Sequence, residues 1–106
     1  MKKNYMIEDL VNIIRLNKNK DIKESYTAFL INSGLTKCIS KMQEEFEELK
    51  EALIKNKNQT HEAADLMYHF LVTLEASHVK FEDVLIELNK RTKQSGIEEK
   101  KKDNEI

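Results

Sequence analysis

Two acidic segments, EEFEE and EAAD, contain the side chains of this chain that are best arranged for chemistry. In each segment two carboxylates are three residues apart, Glu45 with Glu48 and Glu62 with Asp65. Residues at this spacing lie on the same face of a helix. If the two helices pack antiparallel across the short KNKNQT segment, the four carboxylates surround one space.

Such a cluster is unstable unless protons or cations offset its charge. Two bare carboxylates about 5 Å apart, at an effective dielectric constant near 20, repel each other by roughly 3 kcal/mol. Ligands that are all oxygen select a hard cation, so the pattern predicts a site for Mg²⁺, with Mn²⁺ as a substitute, in preference to Zn²⁺. Mg²⁺ commonly binds a few carboxylates and fills its other positions with water and substrate phosphates.

The helical angles of the glutamates separate those that face inward from those that face solvent. If Met42 marks the centre of the apolar side of the helix, Glu45 lies roughly 60° from that centre. Glu48 lies at the edge of the apolar side, whereas Glu47 and Glu51 point away from it and are predicted to be solvated. A carboxylate within an apolar surface must be paired, protonated or bound to a cation, so Glu45 is predicted to have such a partner.

The segment HEAADLMYHFLVTLEASHV is apolar around most of its helical circumference. A narrow polar stripe remains, made of Glu62, Asp65, His69 and Thr73. Because a mostly apolar helix is buried on several sides, this stripe is predicted to face another helix rather than open water.

The sequence predicts an all-α fold, an antiparallel bundle of four to five helices. The 106 residues include no proline and only two glycines, which favours long helices over a turn-rich β fold. Apolar residues at helical spacing place the helices within MIEDLVNIIRLNKN, within SYTAFLINSG, from about Thr36 to Asn56, over residues 61–78 and within FEDVLIELNKR. One domain is expected over residues 1–97, followed at 98–106 by a charged tail that is expected to be disordered.

Four residues define the predicted helix ends. Ser25 and Thr60 are predicted to cap the second and fourth helices at their N-termini, and Gly34 is predicted to stop the second. Lys80 stands where a capping Ser or Thr would suit the fifth helix, so no side-chain cap is expected there.

Composition argues against several classes of protein. The net charge of −1 does not favour a general nucleic-acid binder or a basic membrane-surface protein. No apolar run approaches the roughly 18 residues of a membrane helix, and the N-terminal segment does not resemble a signal peptide. The single cysteine, Cys38, excludes an internal disulfide and a multi-cysteine zinc site, and it fits a reducing cytoplasm. Small size and the apolar fourth helix predict a homodimer.

The two acidic segments resemble a known signature. E-E-x-x-E at Glu44, Glu45 and Glu48, followed by E-x-x-D at Glu62 and Asp65, resembles the pattern of the all-α nucleoside-triphosphate pyrophosphohydrolases, the MazG-like superfamily. The stretches ESYTAFL, EAADLMYHFLVTL, EDVLIEL and RTKQSGIEEK are similar, in that order, to the phosphoribosyl-ATP pyrophosphatase family.

The resemblance implies a fold, a reaction and a cofactor. It implies an all-helical dimer that uses Mg²⁺ to hydrolyse phosphoribosyl-ATP to phosphoribosyl-AMP and pyrophosphate, the second step of histidine biosynthesis. By position in the motif, the metal ligands would be Glu45, Glu48, Glu62 and Asp65. Glu44 would orient the attacking water or else be a surface glutamate, and with Glu45 and Glu48 it completes the expected catalytic set.

Five further residues are predicted to contact the substrate, four of them with a plainer alternative. Lys37 and Lys41, on one flank of the third helix, would bind phosphates or simply pair with nearby glutamates. Tyr26 would stack on or hydrogen-bond to the substrate. His69 would touch the substrate, orient a neighbouring ligand or be a hydrogen-bonded core histidine. Arg91 would close over the substrate, from the partner subunit, or only end its helix.

The chain departs from the family at Gln43 and Phe46, where small residues are usual, and at Ile22, where proline is usual. Phe46 is expected to alter packing beside the metal, and none of the departures removes an expected ligand. Two other functions stay open: a house-cleaning pyrophosphohydrolase acting on other nucleoside triphosphates, and a non-catalytic helical adaptor.

Overall fold

Five α-helices make up most of residues 5–93, the part of the chain that the computed structural model describes. In chain order they are α1 (Ile7–Asn17), α2 (Tyr26–Asn32), α3 (Leu35–Lys55), α4 (Gln59–Ala76) and α5 (Phe81–Thr92). Within this range the remaining residues form turns and connections, so the predicted all-α class is confirmed. The predicted tail at 98–106 lies outside the described residues.

The second helix is capped as predicted. The Ser25 hydroxyl accepts a hydrogen bond from the Ala28 amide at 3.0 Å, which satisfies one of the free amides of the first turn. Gly34 follows the C-cap of this helix as the predicted stop, with a φ of 99° that L-residues rarely adopt, and it also stands directly before α3. Lys80 precedes α5 without a side-chain cap, as expected.

The prediction that Thr60 caps the fourth helix is wrong, since α4 already begins at Gln59. The turn between α3 and α4 is tight because Asn56 and Asn58 both adopt left-handed backbone conformations, with φ of 56° and 61°. Asparagine tolerates this region better than most residues. The turn therefore ends earlier than the polar sequence indicated, and α3 and α4 form a helical hairpin.

The core lies where α1, α2, α3 and α4 meet. Its buried side chains are Val11, Ile14, Leu30, Cys38, Leu71 and Val72. Burial of an aliphatic side chain of this size contributes about 1.5–3 kcal/mol. Cys38 packs in this core, its Sγ lies 3.3 Å from the Leu30 carbonyl oxygen, and burial raises the pKa of its thiol. The most extensive packing joins α3 to α4.

Much of the apolar side of the hairpin is not covered by this chain. Phe46 and Leu53 on α3 are 52% and 59% exposed, and Met67 and Phe70 on α4 are 50% and 40% exposed. Helix α4 nevertheless packs against α1, α2, α3 and α5, so its burial on several sides is confirmed for its inner surface. Its polar stripe faces α3 as predicted at His69 and Thr73, which are 6% and 7% exposed.

No residue of α5 is fully buried, and the helix is joined to the rest of the chain by the packing of Phe81 against the core and by ion pairs. The Arg15 guanidinium donates to both Glu82 carboxylate oxygens at 2.8 Å, and its Nε lies 3.4 Å from Glu75. The Arg15 hydrogen bond lowers the pKa of Glu82 to about 2. This network joins α1, α4 and α5 at the end of the hairpin opposite the α3–α4 turn. Over the described range, no helix has the length and apolar character needed to cross a bilayer.

Candidate metal centre

The hairpin brings the two acidic segments together. A three-residue turn joins α3 to α4, so the two helices run antiparallel and their acidic residues face each other. Across the pair, Glu45 Oε1 lies 3.6 Å from His69 Nε2. The Glu45 and Glu62 side chains are each only 15% exposed.

Glu45 is placed where its helical angle predicted, between α3 and α4. Its Oε2 is buried without a hydrogen-bond partner among the described residues. Burial, together with the adjacent carboxyls of Glu48, Asp65 and Glu62, raises the pKa of Glu45 to about 7. A buried carboxylate oxygen without a hydrogen-bond partner is costly unless the group gains a proton or a cation. Glu45 and the carboxyls around it are therefore a candidate site for a cation.

The other predicted ligands are more open to solvent. Glu48 is exposed, and it lines a cleft of about 480 Å³ together with Glu62. Asp65 is 42% exposed. Lys55 and Lys57 contribute to the wall of the same cleft, which gives it cationic as well as anionic groups. A polyphosphate with a bound cation matches such a mixed lining.

His61 is absent from the predicted site residues, yet it lies against the acidic cluster. Its Nε2 is 3.3 Å from Asp65 Oδ2 and 3.7 Å from Glu62 Oε1. One ligand atom from each of these three residues lies within 4.8 Å of the others. The signal that could have found His61 is its i, i+4 spacing from Asp65, which puts the two side chains on one face of α4.

His69 connects the carboxylates to an aromatic cluster. The Tyr26 and Tyr68 rings meet the His69 imidazole edge-on, with centroid distances of 6.1 and 5.1 Å. Tyr68 is held by a 2.6 Å hydrogen bond with Thr27, whereas Tyr26 is 51% exposed. Burial and the charge of Lys41 lower the pKa of His69, which favours the uncharged imidazole. A neutral imidazole offers one donor and one acceptor.

The other residues predicted to contact the substrate are Lys37, Lys41 and Arg91. Lys41 lies near the site: its Nζ is 3.3 Å from Glu44 Oε1, and that hydrogen bond raises the pKa of Lys41. Lys37 is exposed on α3. Arg91 lies on α5, pairs with Glu87 at 2.9 Å and lines a groove along that helix with Val79 and Leu88.

Fold and site together define an all-α protein with a carboxylate cluster shared by the two arms of one helical hairpin. The family model described as phosphoribosyl-ATP pyrophosphohydrolase matches residues 7–92. The chain therefore belongs to the phosphoribosyl-ATP pyrophosphohydrolase family, and the resemblance found in its sequence is confirmed.

Curated relatives support the same family. The chain is 39% identical over 98 residues to a phosphoribosyl-ATP pyrophosphatase of Allorhizobium ampelinum, covering 91% of this chain and 94% of the relative. It is 40% identical to that of Rhizobium meliloti, covering 91% and 92%. It is also 43% identical to the histidine biosynthesis bifunctional protein HisIE of Helicobacter hepaticus, covering 91% of this chain and 42% of that protein. No solved structure matches the chain significantly.

Proposed function

We propose that this protein hydrolyses phosphoribosyl-ATP to phosphoribosyl-AMP and pyrophosphate, the second step of histidine biosynthesis, in the cytoplasm. Family membership over residues 7–92 supports the substrate. The observation that carries the chemistry is the partnerless buried oxygen of Glu45, which lies among three further carboxyls. A bound cation would give this oxygen a partner and would offset the repulsion between the carboxylates.

The donor set fits Mg²⁺, with Mn²⁺ as a substitute. Glu45, Glu48, Glu62 and Asp65 are the proposed ligands, and all of them offer oxygen, which hard divalent cations prefer. When bound, Mg²⁺ would offset phosphate charge, orient the polyphosphate and lower the pKa of a bound water. The chain itself contributes the fixed positions of the carboxylates, which the α3–α4 hairpin holds before substrate arrives.

Groups around the cluster are proposed to position the substrate. His69 is buried with its Nε2 3.6 Å from Glu45 Oε1, so its proposed role is to position Glu45. The exposed ring of Tyr26 is next to His69, which makes it the proposed surface for the base or ribose. Lys41 and Lys37 are proposed to contact phosphates.

Two proposed roles concern groups farther from the buried carboxyl. Glu44 is 57% exposed beside Lys41, and its proposed role is to position the attacking water. Arg91 is proposed to act from the partner subunit, because its own helix packs at the far end of α4.

A homodimer is part of the proposal. Phe46, Leu53, Met67 and Phe70 lie on the two helices that also carry the carboxylates, and each is at least 40% exposed in the single chain. A second copy that covers this surface would gain about 1.5–3 kcal/mol per fully buried side chain. Sedimentation analysis at micromolar concentration should give the mass of a dimer, and a monomer would contradict this part of the proposal.

A substrate panel tests the proposed activity. Purified protein with Mg²⁺ is incubated with phosphoribosyl-ATP, dUTP or dCTP, and pyrophosphate release is measured. The expected result is turnover of phosphoribosyl-ATP with little release from the other two. Turnover of dUTP or dCTP alone would favour a house-cleaning enzyme, and no turnover combined with no effect of Mg²⁺ on thermal stability would favour an adaptor.

A further inference from the structure

The His61 imidazole lies at the edge of the acidic cluster, and the reaction described above does not use it. It is in the first turn of α4, and its side chain is 75% exposed. Its Nε2 approaches two carboxylates rather than one, Asp65 at 3.3 Å and Glu62 at 3.7 Å. It also lines the cleft that Glu48 and Glu62 line.

These distances are close to those between neighbouring ligands of one ion. Ligands at 2.0–2.1 Å in octahedral geometry are about 3 Å apart when adjacent. The separations of His61 Nε2 from the two carboxylate oxygens exceed that value by less than an ångström. Because the imidazole is exposed, a small side-chain rotation closes the gap without moving the backbone.

A surface ion pair explains less of the arrangement. An i, i+4 pair between a histidine and an aspartate contributes only a few tenths of a kcal/mol, and it does not require the approach to Glu62. Glu62 is only 15% exposed, so its oxygen is directed toward the cluster rather than to the surface. On the facing helix, the buried Oε2 of Glu45 also lacks a hydrogen-bond partner among the described residues.

We propose that His61 supplies a nitrogen ligand to the divalent cation of this cluster and thereby shifts its preference from Mg²⁺ toward transition-metal ions such as Mn²⁺. The proposal rests on the acidic metal site of the proposed function. Imidazole is a common ligand of first-row transition metals, whereas Mg²⁺ takes oxygen ligands almost exclusively. With His61 in place, the site has one donor that Mg²⁺ uses poorly and that a transition metal uses well.

Pulsed electron paramagnetic resonance of the Mn²⁺-loaded protein tests this directly. A coordinated imidazole gives a ¹⁴N modulation, which should be present in the wild type and absent in His61→Ala. The matched control is His78→Asn, a change of an exposed histidine at the other end of α4, where Asn accepts the φ of 62°. The control should keep the modulation. A modulation that persists in His61→Ala would assign the nitrogen to another histidine, such as His69, and overturn the proposal.

Calorimetric titration without substrate gives a second readout. His61→Ala should raise the Kd for Mn²⁺ about tenfold, the lower end of effects seen when metal-site groups are removed, and change the Kd for Mg²⁺ less than twofold. Equal effects on both ions, or none on Mn²⁺, would overturn the role of His61. Asp65→Asn distinguishes failure of the His61 proposal from failure of the acidic metal site. If Asp65→Asn weakens Mn²⁺ binding and His61→Ala does not, the acidic site is retained and the role of His61 is rejected. Unchanged binding in Asp65→Asn overturns both.

Discussion

Replacing Glu45 with glutamine removes one charge from the cluster and leaves the side-chain shape almost unchanged. In the absence of a cation, Glu45 has a buried oxygen with no partner in the described part of the chain and three carboxyls nearby. Its ionised form is therefore unfavourable in the folded state. We expect metal-free Glu45→Gln to be more stable than the wild type at alkaline pH.

The sign and size of this effect follow from the raised pKa. Burial and the neighbouring carboxyls raise the pKa of Glu45 from 4.5 to about 7. The folded protein thus keeps a proton that the unfolded chain has released, so this contribution to stability is complete below pH 4.5 and is lost as pH rises through about 7. At about 1.36 kcal/mol per pKa unit, the upper limit is about 3 kcal/mol. Because solvent reaches the adjoining cleft, we expect about 1–3 kcal/mol.

Urea unfolding in the presence of a chelator, at pH 5 and pH 8, measures this contribution. Between these values the wild type should lose about 1–3 kcal/mol relative to Glu45→Gln. The control is Glu47→Gln, since Glu47 is on the solvent side of α3 and pairs with Lys50 at 3.4 Å. Its difference from the wild type should be the same at both pH values. A Glu45→Gln variant with the same pH dependence as the wild type would refute the account of this carboxyl.

Three further predictions concern the cation, the substrate and the partner. Mg²⁺ at 100 times its Kd should stabilise the wild type by about 2.7 kcal/mol in thermal unfolding, and it should stabilise Asp65→Asn far less. Equal stabilisation of the two proteins by Mg²⁺ would contradict a site at Asp65. Tyr26→Ala should raise the KM for phosphoribosyl-ATP about tenfold, since stacking on an aromatic ring contributes about 1–3 kcal/mol per base, whereas Tyr26→Phe should stay near wild type; equal effects would remove the stacking role. Phe70→Glu should yield a folded monomer by sedimentation, and an unchanged mass would move the interface elsewhere.

The helical pattern was sufficient to predict the five helices and the inward position of Glu45. Both follow from periodicity, which depends only on local geometry. The start of α4 was predicted wrongly at Thr60, because the turn before it uses two left-handed asparagines. In the sequence, asparagine indicates only a polar turn, so the left-handed conformation of these two residues could not be inferred from composition.

The sequence pattern also could not predict what covers the exposed apolar residues of the α3–α4 hairpin. Periodicity marks Phe46, Met67 and Phe70 as apolar-face residues, but it does not say whether the neighbour is a helix of this chain or another copy. His61 was overlooked for a similar reason, since its role depends on two carboxylates whose positions only the hairpin fixes. The position of Arg91 depends on how α5 packs against α1 and α4, which periodicity does not specify.

The most direct test of the central claim compares two adjacent glutamates of α3 that differ in which way they face. Glu48 lines the cleft with Glu62, whereas Glu47 is on the solvent side and pairs with Lys50. The measurement is kcat/KM for phosphoribosyl-ATP with saturating Mg²⁺, made on Glu48→Gln and Glu47→Gln after circular dichroism has verified that both are folded. The prediction is a loss of at least about 1,000-fold for Glu48→Gln, roughly 4 kcal/mol of transition-state stabilisation, and less than a twofold change for Glu47→Gln. Comparable activity in the two variants would contradict a catalytic metal site between α3 and α4.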